Sequence, residues 1–280
     1  MKNELLDIRS QELCIPGLQG HYRLLQITDL HLLLTDETET AARAEYARPR
    51  VGLFAKDGVE NTVRFHALQQ YIAENAAQLD AVLFTGDIID FPSAPNRETV
   101  EQLLKSLPVP YFFVLGNHDW AYFDDYHTPH AQVANRPLFS GWCGGNTFVH
   151  KQRLGELTLV GVDNTMELYE DGVAETLADA LQNEKNVLLL QHIPFYAKTL
   201  HDDTVAYWHG RDINIGDDGI CKNENWRTVY QLVTQPGSPV RALITGHLHF
   251  WHTDRLAGGL PQFVTANAAD GSAALFEIHG

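Results

Sequence analysis

Ala81-Val82-Leu83-Phe84-Thr85-Gly86-Asp87-Ile88-Ile89-Asp90 is the stretch on which the fold turns. Val82 to Phe84 is short, apolar and β-favouring, and it stops at Gly86, so it reads as a buried strand handing its next residues to a loop. Those residues include Asp87 and Asp90. A carboxylate has two oxygens and can hold two cations at once, so an Asp fixed at a strand end suits a pair of metal ions. Gly-Asp is also ordinary turn chemistry, and standing alone the stretch reads as a turn.

Four other stretches repeat its plan. Tyr22 to Thr28 empties into Asp29-Leu30-His31, and Tyr111 to Leu115 into Gly116-Asn117-His118-Asp119. Val187 to Leu190 delivers Gln191 and His192, and Ala242 to Thr245 delivers Gly246-His247-Leu248-His249. Between them the apolar spacing predicts helices over Thr62 to Gln78, over a segment opened by Asn96 as N-cap and carrying Val100, Leu103, Leu104 and Leu107, over Val173 to Leu181, and around Trp226, Val229, Tyr230 and Val233. Further strands are expected at Leu13 to Leu18, joined to the Tyr22 strand near Gly17 and Gly20, and at Leu157 to Val162. Segments around Thr253 to Leu256, Gln262 to Thr265 and Ala273 to Ile278 read as antiparallel strands with Gly-rich turns. Strands alternating with helices make an α/β chain with a largely parallel sheet, in which ligands sit outside the carboxyl ends of the strands.

Residues 32–60, 120–150 and 195–223 show no clear period and read as insertions over those strand ends, where long loops tend to be functional. They hold Trp120, Tyr122, Phe123 and Tyr126 in one and Phe195, Tyr196, Tyr207 and Trp208 in another, with Arg48, Arg50 and Arg211 as the cations to watch. Aromatic faces there suit a stacked base, although packing beneath a loop accounts for such residues about equally well.

With 280 residues and 44% apolar content the chain is expected to form one domain over residues 1–280. A formal charge of -16 opposes any broad grip on a nucleic-acid backbone, which Lys and Arg would have to drive. Cys14, Cys143 and Cys221 are widely spaced and form no Cys-x-x-Cys pair, which fits reduced thiols in a cytoplasmic protein. Met1 to Arg9 mixes charges and no long apolar segment follows, so neither a signal peptide nor a membrane span is expected. Oligomeric state is not legible.

Collected from the strand ends, Asp29, His31, Asp87, Asn117, His192, His247 and His249 stand at equivalent topological positions, with His118 and Asp90 close by. Turn chemistry alone does not produce five such clusters, and the set reads as a site. Imidazole with carboxylate and no thiolate favours Mn, Fe, Zn, Co or Ni over Mg or Ca, and the ligand count fits two divalent or mixed-valence ions.

Asp-x-His, Gly-Asp-x-x-Asp, Gly-Asn-His-Asp, a single His and Gly-His-x-His, in that order from Asp29 to His249, resemble the motif set of the calcineurin-like metallophosphoesterase superfamily. The resemblance implies a four-layer α/β/β/α sandwich of two sheets flanked by helices. It implies one ion, Mn or Fe foremost, held by Asp29, His31, Asp87 and His249, and a second held by Asp87, Asn117, His192 and His247, with Asp87 bridging. It also implies that a hydroxide bridging the ions attacks phosphorus, that His118 protonates the leaving oxygen or stabilises phosphoryl charge, and that Asp90 orients His118. Purple acid phosphatases in the superfamily carry Gly where this chain has His31 and Tyr where it has Asp90, so no tyrosinate chromophore is expected. The Ile27-Thr28-Asp29-Leu30-His31 opening is more similar to bacterial-type phosphodiesterases, including class III cyclic-nucleotide enzymes, than to protein phosphatases.

The expected function is therefore hydrolysis of a small phosphate ester, a diester ahead of a monoester or pyrophosphate, with a nucleotide among the candidate substrates. A non-catalytic metal-binding scaffold is the reading from a different class; it is disfavoured because the ligand set and His118 are all present. A nuclease on long DNA is disfavoured by charge.

Overall fold

The computed structural model describes residues 4–55, 57–125, 128–211, 213 and 224–280. In chain order the elements are β1 (Asp7–Cys14), β2 (Tyr22–Ile27), α1 (Ala41–Ala47), α2 (Asn61–Asn75), β3 (Ala81–Thr85), α3 (Ala94–Ser106), β4 (Tyr111–Val114), α4 (Pro129–Asn135), β5 (Val149–Leu154), β6 (Leu157–Val162), α5 (Val173–Leu181), β7 (Val187–Leu190), α6 (Lys198–Tyr207), α7 (Glu224–Thr234), β8 (Val240–Thr245), β9 (His252–Arg255), β10 (Pro261–Val264) and β11 (Ser272–His279). Cys221 and Tyr126, and part of the 195–223 segment, lie outside the described residues. Cys14 and Cys143 are free thiols, the first exposed and the second buried.

β3 shows why the strands read as unbroken apolar runs. Val82 and Phe84 pack under α2 and α3, while Ala81 and Leu83 face a second sheet, so both faces are covered. β7 divides likewise: Val187 and Leu189 turn toward α5 and α7, Leu188 and Leu190 toward the first sheet. The result is a sandwich of two sheets, each covered outside by helices. One sheet has the order β1-β11-β2-β3-β4 and the other β5-β6-β7-β8-β10-β9. Leu24, Leu83, Phe112, Leu159, Leu190 and Phe276 are among the residues that fill the space between them.

β2, β3 and β4 run parallel, as do β6, β7 and β8, so their carboxyl ends meet at one rim. Each sheet is nonetheless mixed. β11 lies antiparallel to β2 and parallel to β1, and β10 parallel to β8 and antiparallel to β9. The final strands thus only partly match the antiparallel expectation.

Two local expectations change. The first strand is Asp7–Cys14, not Leu13 to Leu18, and it does not pair with β2, because β11 comes between. The apolar signal at Leu13, Ile15 and Leu18 comes from residues that plug the inter-sheet core as the strand ends. α3 is capped by Ser93, whose hydroxyl accepts the Asn96 N–H at 3.3 Å, with Pro95 in the first turn. The Asn96 side chain instead accepts from Leu34 N–H and donates to Phe91 O, tying the helix start to neighbouring loops. Among the described residues no helix is long and apolar enough to cross a membrane.

Candidate metal centre

Beyond the strand ends, the loops remain cross-linked. Asp29 N–H donates to Gly86 O, His31 N–H to Asp87 O and Gly246 N–H to His192 O, each at 2.9 to 3.0 Å. To turn so sharply, Asp29, His31, Asp87, His247 and His249 all take a positive φ, between 49° and 73°. That region disfavours side chains with a Cβ, and such outliers concentrate where function holds the backbone. Gly86 precedes Asp87 at φ 92°, and a side chain there or at Gly116 would collide with the facing loop.

Three of the seven candidate ligands, Asp29, His31 and His249, gather with ligand atoms within 4.8 Å of one another, and Asp87, His192 and His247 form a second such group. His249 Nε2 is 3.3 Å from Asp29 Oδ1, and His192 Nε2 is 3.2 Å from Asp87 Oδ2. The same Asp87 oxygen lies 3.9 Å from His31 Nε2, so this carboxylate stands between the two groups. Asn117 is buried at the end of β4, immediately before His118.

These residues fit a pair of cations. Asp29 Oδ2 accepts from the Thr28 hydroxyl and from His247 N–H, but its buried Oδ1 accepts no hydrogen bond among the described residues. Imidazole nitrogens face each other at 3.2 Å (His31 and His249) and 3.3 Å (His192 and His247), an arrangement that a shared cation satisfies better than a single proton. Burial would raise Asp87, but His192 and His118 hold it well below the usual carboxylate range. Burial would lower His192, yet the facing Asp87 lifts it to about 10, while burial and the His192 charge push His247 down to about 3. The carboxylates demand positive charge at their centre, and a metal ion is a better source of it than one protonated imidazole.

A third donor group, His31, Asp90 and His118, is closed to a cation by Arg50. Arg50 grips Asp90 through two hydrogen bonds, at 2.5 and 2.7 Å. Asp90 also meets His31 Nδ1 at 3.1 Å and lies 3.4 Å from His118 Nδ1. Against the effect of burial, Arg50 and His31 keep Asp90 far below its ordinary pKa. His118 bonds Asp90 O at 3.2 Å, and its N–H donates to Asp87 Oδ1 at 2.8 Å. It is the partly exposed member of the cluster.

Asp119 has a part that sequence reasoning missed. Its carboxylate accepts the N–H groups of Gly116, Asp87 and Ile89 and so pins two of the loops that carry candidate ligands. Burial and the Asp87 charge push it up to about 7. Its place directly after His118 was the only available signal. Phe54 was also missed; its ring lies 4.1 Å from that of His31 and 5.0 Å from that of His249.

The aromatic expectation is partly overturned. Trp120 is fully buried in the core with its indole N–H on Thr165, and Tyr122 packs with Leu33, Ala47 and Phe91. Neither offers a face for a base. Trp208 does approach the site, its ring 5.5 Å from that of His249 and its N–H on Leu248 O. Arg50 belongs to the site, whereas Arg48 and Arg211 are exposed.

A family model described as calcineurin-like phosphoesterase matches residues 22–250. A 3',5'-cyclic-nucleotide phosphodiesterase of Nostoc sp. is 28% identical over 116 residues, covering 41% of this chain and 38% of that protein. Among solved structures, a dimetal phosphatase from Danio rerio aligns with a TM-score of 0.52 at 15% identity, covering 89% and 88% of the two chains. A purple acid phosphatase from yellow lupin, Lupinus luteus, aligns with a TM-score of 0.57 at 13% identity, covering 92% of this chain and 45% of that one. At these identities the two structures speak for the fold alone.

Proposed function

This chain belongs to the calcineurin-like phosphoesterase family and is a phosphoric ester hydrolase, and we propose that its substrates are small phosphodiesters cleaved at a two-metal centre. The observation that carries the reading is Asp87, set between two donor groups with His118 bonded to it and held by Asp90. Asp29, His31, Asp87 and His249 would hold one ion, and Asp87, Asn117, His192 and His247 the other. Mn and Fe suit this nitrogen and oxygen set. When bound, such ions supply Lewis acidity to water and neutralise charge on the phosphoryl oxygens.

The protein's own groups do the rest. His118 delivers a proton to the departing oxygen, and Asp90 fixes the imidazole through the contact with its Nδ1. Asp119 keeps the Asp87 and Gly116 turns in register, so the ligands are placed before substrate arrives. A diester suits the site better than a monoester because a dianion asks for additional cations. The charge of Arg50 is already met by Asp90. The cyclic-nucleotide activity of the Nostoc relative falls within the diester class.

The test is side-by-side kinetics on bis(p-nitrophenyl) phosphate and p-nitrophenyl phosphate with Mn²⁺ supplied. A higher kcat/KM on the diester is expected. A clear preference for the monoester would replace this reading with a phosphomonoesterase.

A further inference from the structure

Beside His118 a cavity of about 310 Å³ opens between two of the insertions. Its walls are Tyr46, Phe91, Ala121 and Phe123, and its floor is His118 with the Asp90–Arg50 pair. Tyr46 comes from the 32–60 segment and Phe123 from the 120–150 segment, yet their rings stack with centroids 3.8 Å apart and planes 17° from parallel. Phe123 is still 40% exposed after this stacking, so part of an aromatic ring stays uncovered at the cavity's lip. That uncovered surface is where a second planar group could stack.

Resting on the phosphodiesterase reading above, we propose that this cavity is the leaving-group subsite and that it takes an uncharged alcohol bearing a planar ring, such as a phenol or a nucleoside. The position follows from the chemistry. Water oxygen bonds to phosphorus and its proton passes to solvent, while the P–O bond to the departing group breaks with the electron pair on oxygen. His118 supplies the proton that makes that oxygen an alcohol, so the departing group lies on the His118 side. The charge of the subsite follows from its floor. Arg50 is the permanent cation in the lining and is already held by both oxygens of Asp90, while His118 gives up its charge with the proton it delivers, which leaves little attraction for a departing phosphate. A pyrophosphate is therefore a poor fit. The volume lies near the lower end for small-molecule sites and accommodates one ring system, not a polymer.

Two diesters with leaving groups of similar acidity but different shape test this: methyl phenyl phosphate and methyl hexafluoroisopropyl phosphate. The wild type should prefer the phenyl ester by about tenfold or more in kcat/KM, the order expected of one aromatic stacking contact. Phe123→Ala should erase that preference with metal content unchanged, and Tyr46→Phe, which keeps the stack, should retain it. Equal rates on the two esters in the wild type, or an equal loss on both in Phe123→Ala, overturns the proposal. If monoesters prove to be the better substrates, the same pair of leaving groups is compared as monoesters, so the subsite is judged apart from the ester class. Saturation-transfer NMR with phenol on metal-stripped protein gives a readout free of turnover. Transfer to phenol in the wild type that falls in Phe123→Ala is expected; no transfer in the wild type counts against the subsite.

Discussion

The candidate ligands Asp29, His31, Asp87, His247 and His249 would combine two demands that seldom coincide, a ligand side chain and a left-handed backbone. Asn and Asp tolerate that conformation better than most residues, so substitution to Asn tests ligation with little change in backbone strain. Asp87→Asn should weaken both metal sites and His249→Asn chiefly one, as read by metal content after dialysis against a weak chelator. Two firmly held ions in Asp87→Asn would rule out the bridging role. His118→Ala should keep both ions yet lower turnover of a poor leaving group by about 10² to 10⁴, the usual worth of general-acid help. Acidic phenols, which need less protonation, should suffer less; an equal loss on both would remove the general-acid role. The candidate ligands could be picked out because each follows a strand at a Gly-rich or polar stop. Asp119 was not, since its partners include backbone amides in another loop, and Arg50 was legible as a cation to watch but not as the partner of Asp90, a carboxylate 40 residues away.

At the scale of elements, α5, β3 and β7 could be read directly because each carries its own signal, an apolar stripe or a continuous apolar run. α1 could not. Seven residues are too few to sustain a helix in water, and its Thr40 cap, which accepts Arg43 N–H at 3.3 Å, adds little. What holds the segment is tertiary: the Tyr46–Phe123 stack and the grip of Arg50 on Asp90. Arg50→Gln should therefore lower unfolding free energy by about 2 kcal/mol or more, because a buried carboxylate loses its cation. Exposed Arg48→Gln serves as the control and should stay within about 0.5 kcal/mol. Equal urea midpoints for the two variants would show that the segment is held some other way. At the seam of the sheets, His150 of β5 stacks on Phe112 of β4 at 4.5 Å, and burial lowers its pKa to about 4. An unfolded imidazole titrates near 6.5, so between those values the unfolded chain takes up the proton first. This contribution is complete above pH 6.5 and is lost as pH falls toward 4. Between pH 7 and 4.5 the wild type should lose about 1 to 2 kcal/mol more in urea unfolding than His150→Phe, the figure reduced for partial exposure. Matching losses in the two proteins would remove His150 as the cause.

For the whole molecule, the strand-and-helix alternation led to the carboxyl-end rim but not to the division into two sheets. Nothing in an apolar run states whether its second face meets a helix or another sheet, and β3 and β7 each meet both. The four-layer arrangement was carried instead by the motif resemblance, and the strand order with β11 between β1 and β2 was carried by neither. That order governs how the chain must assemble. Leu275 pairs with Leu25 on one side and Ser10 on the other, so strands made early close around one made more than two hundred residues later. Until residues 272–279 have left the ribosome, β1 has no partner strand among the described residues, and one edge of β2 is an open template for other chains. Such remote pairing makes for slow folding. The nascent protein thus spends its synthesis with the sheet that carries Asp29 and Asp87 incomplete, and this interval is when a chaperone has most to protect.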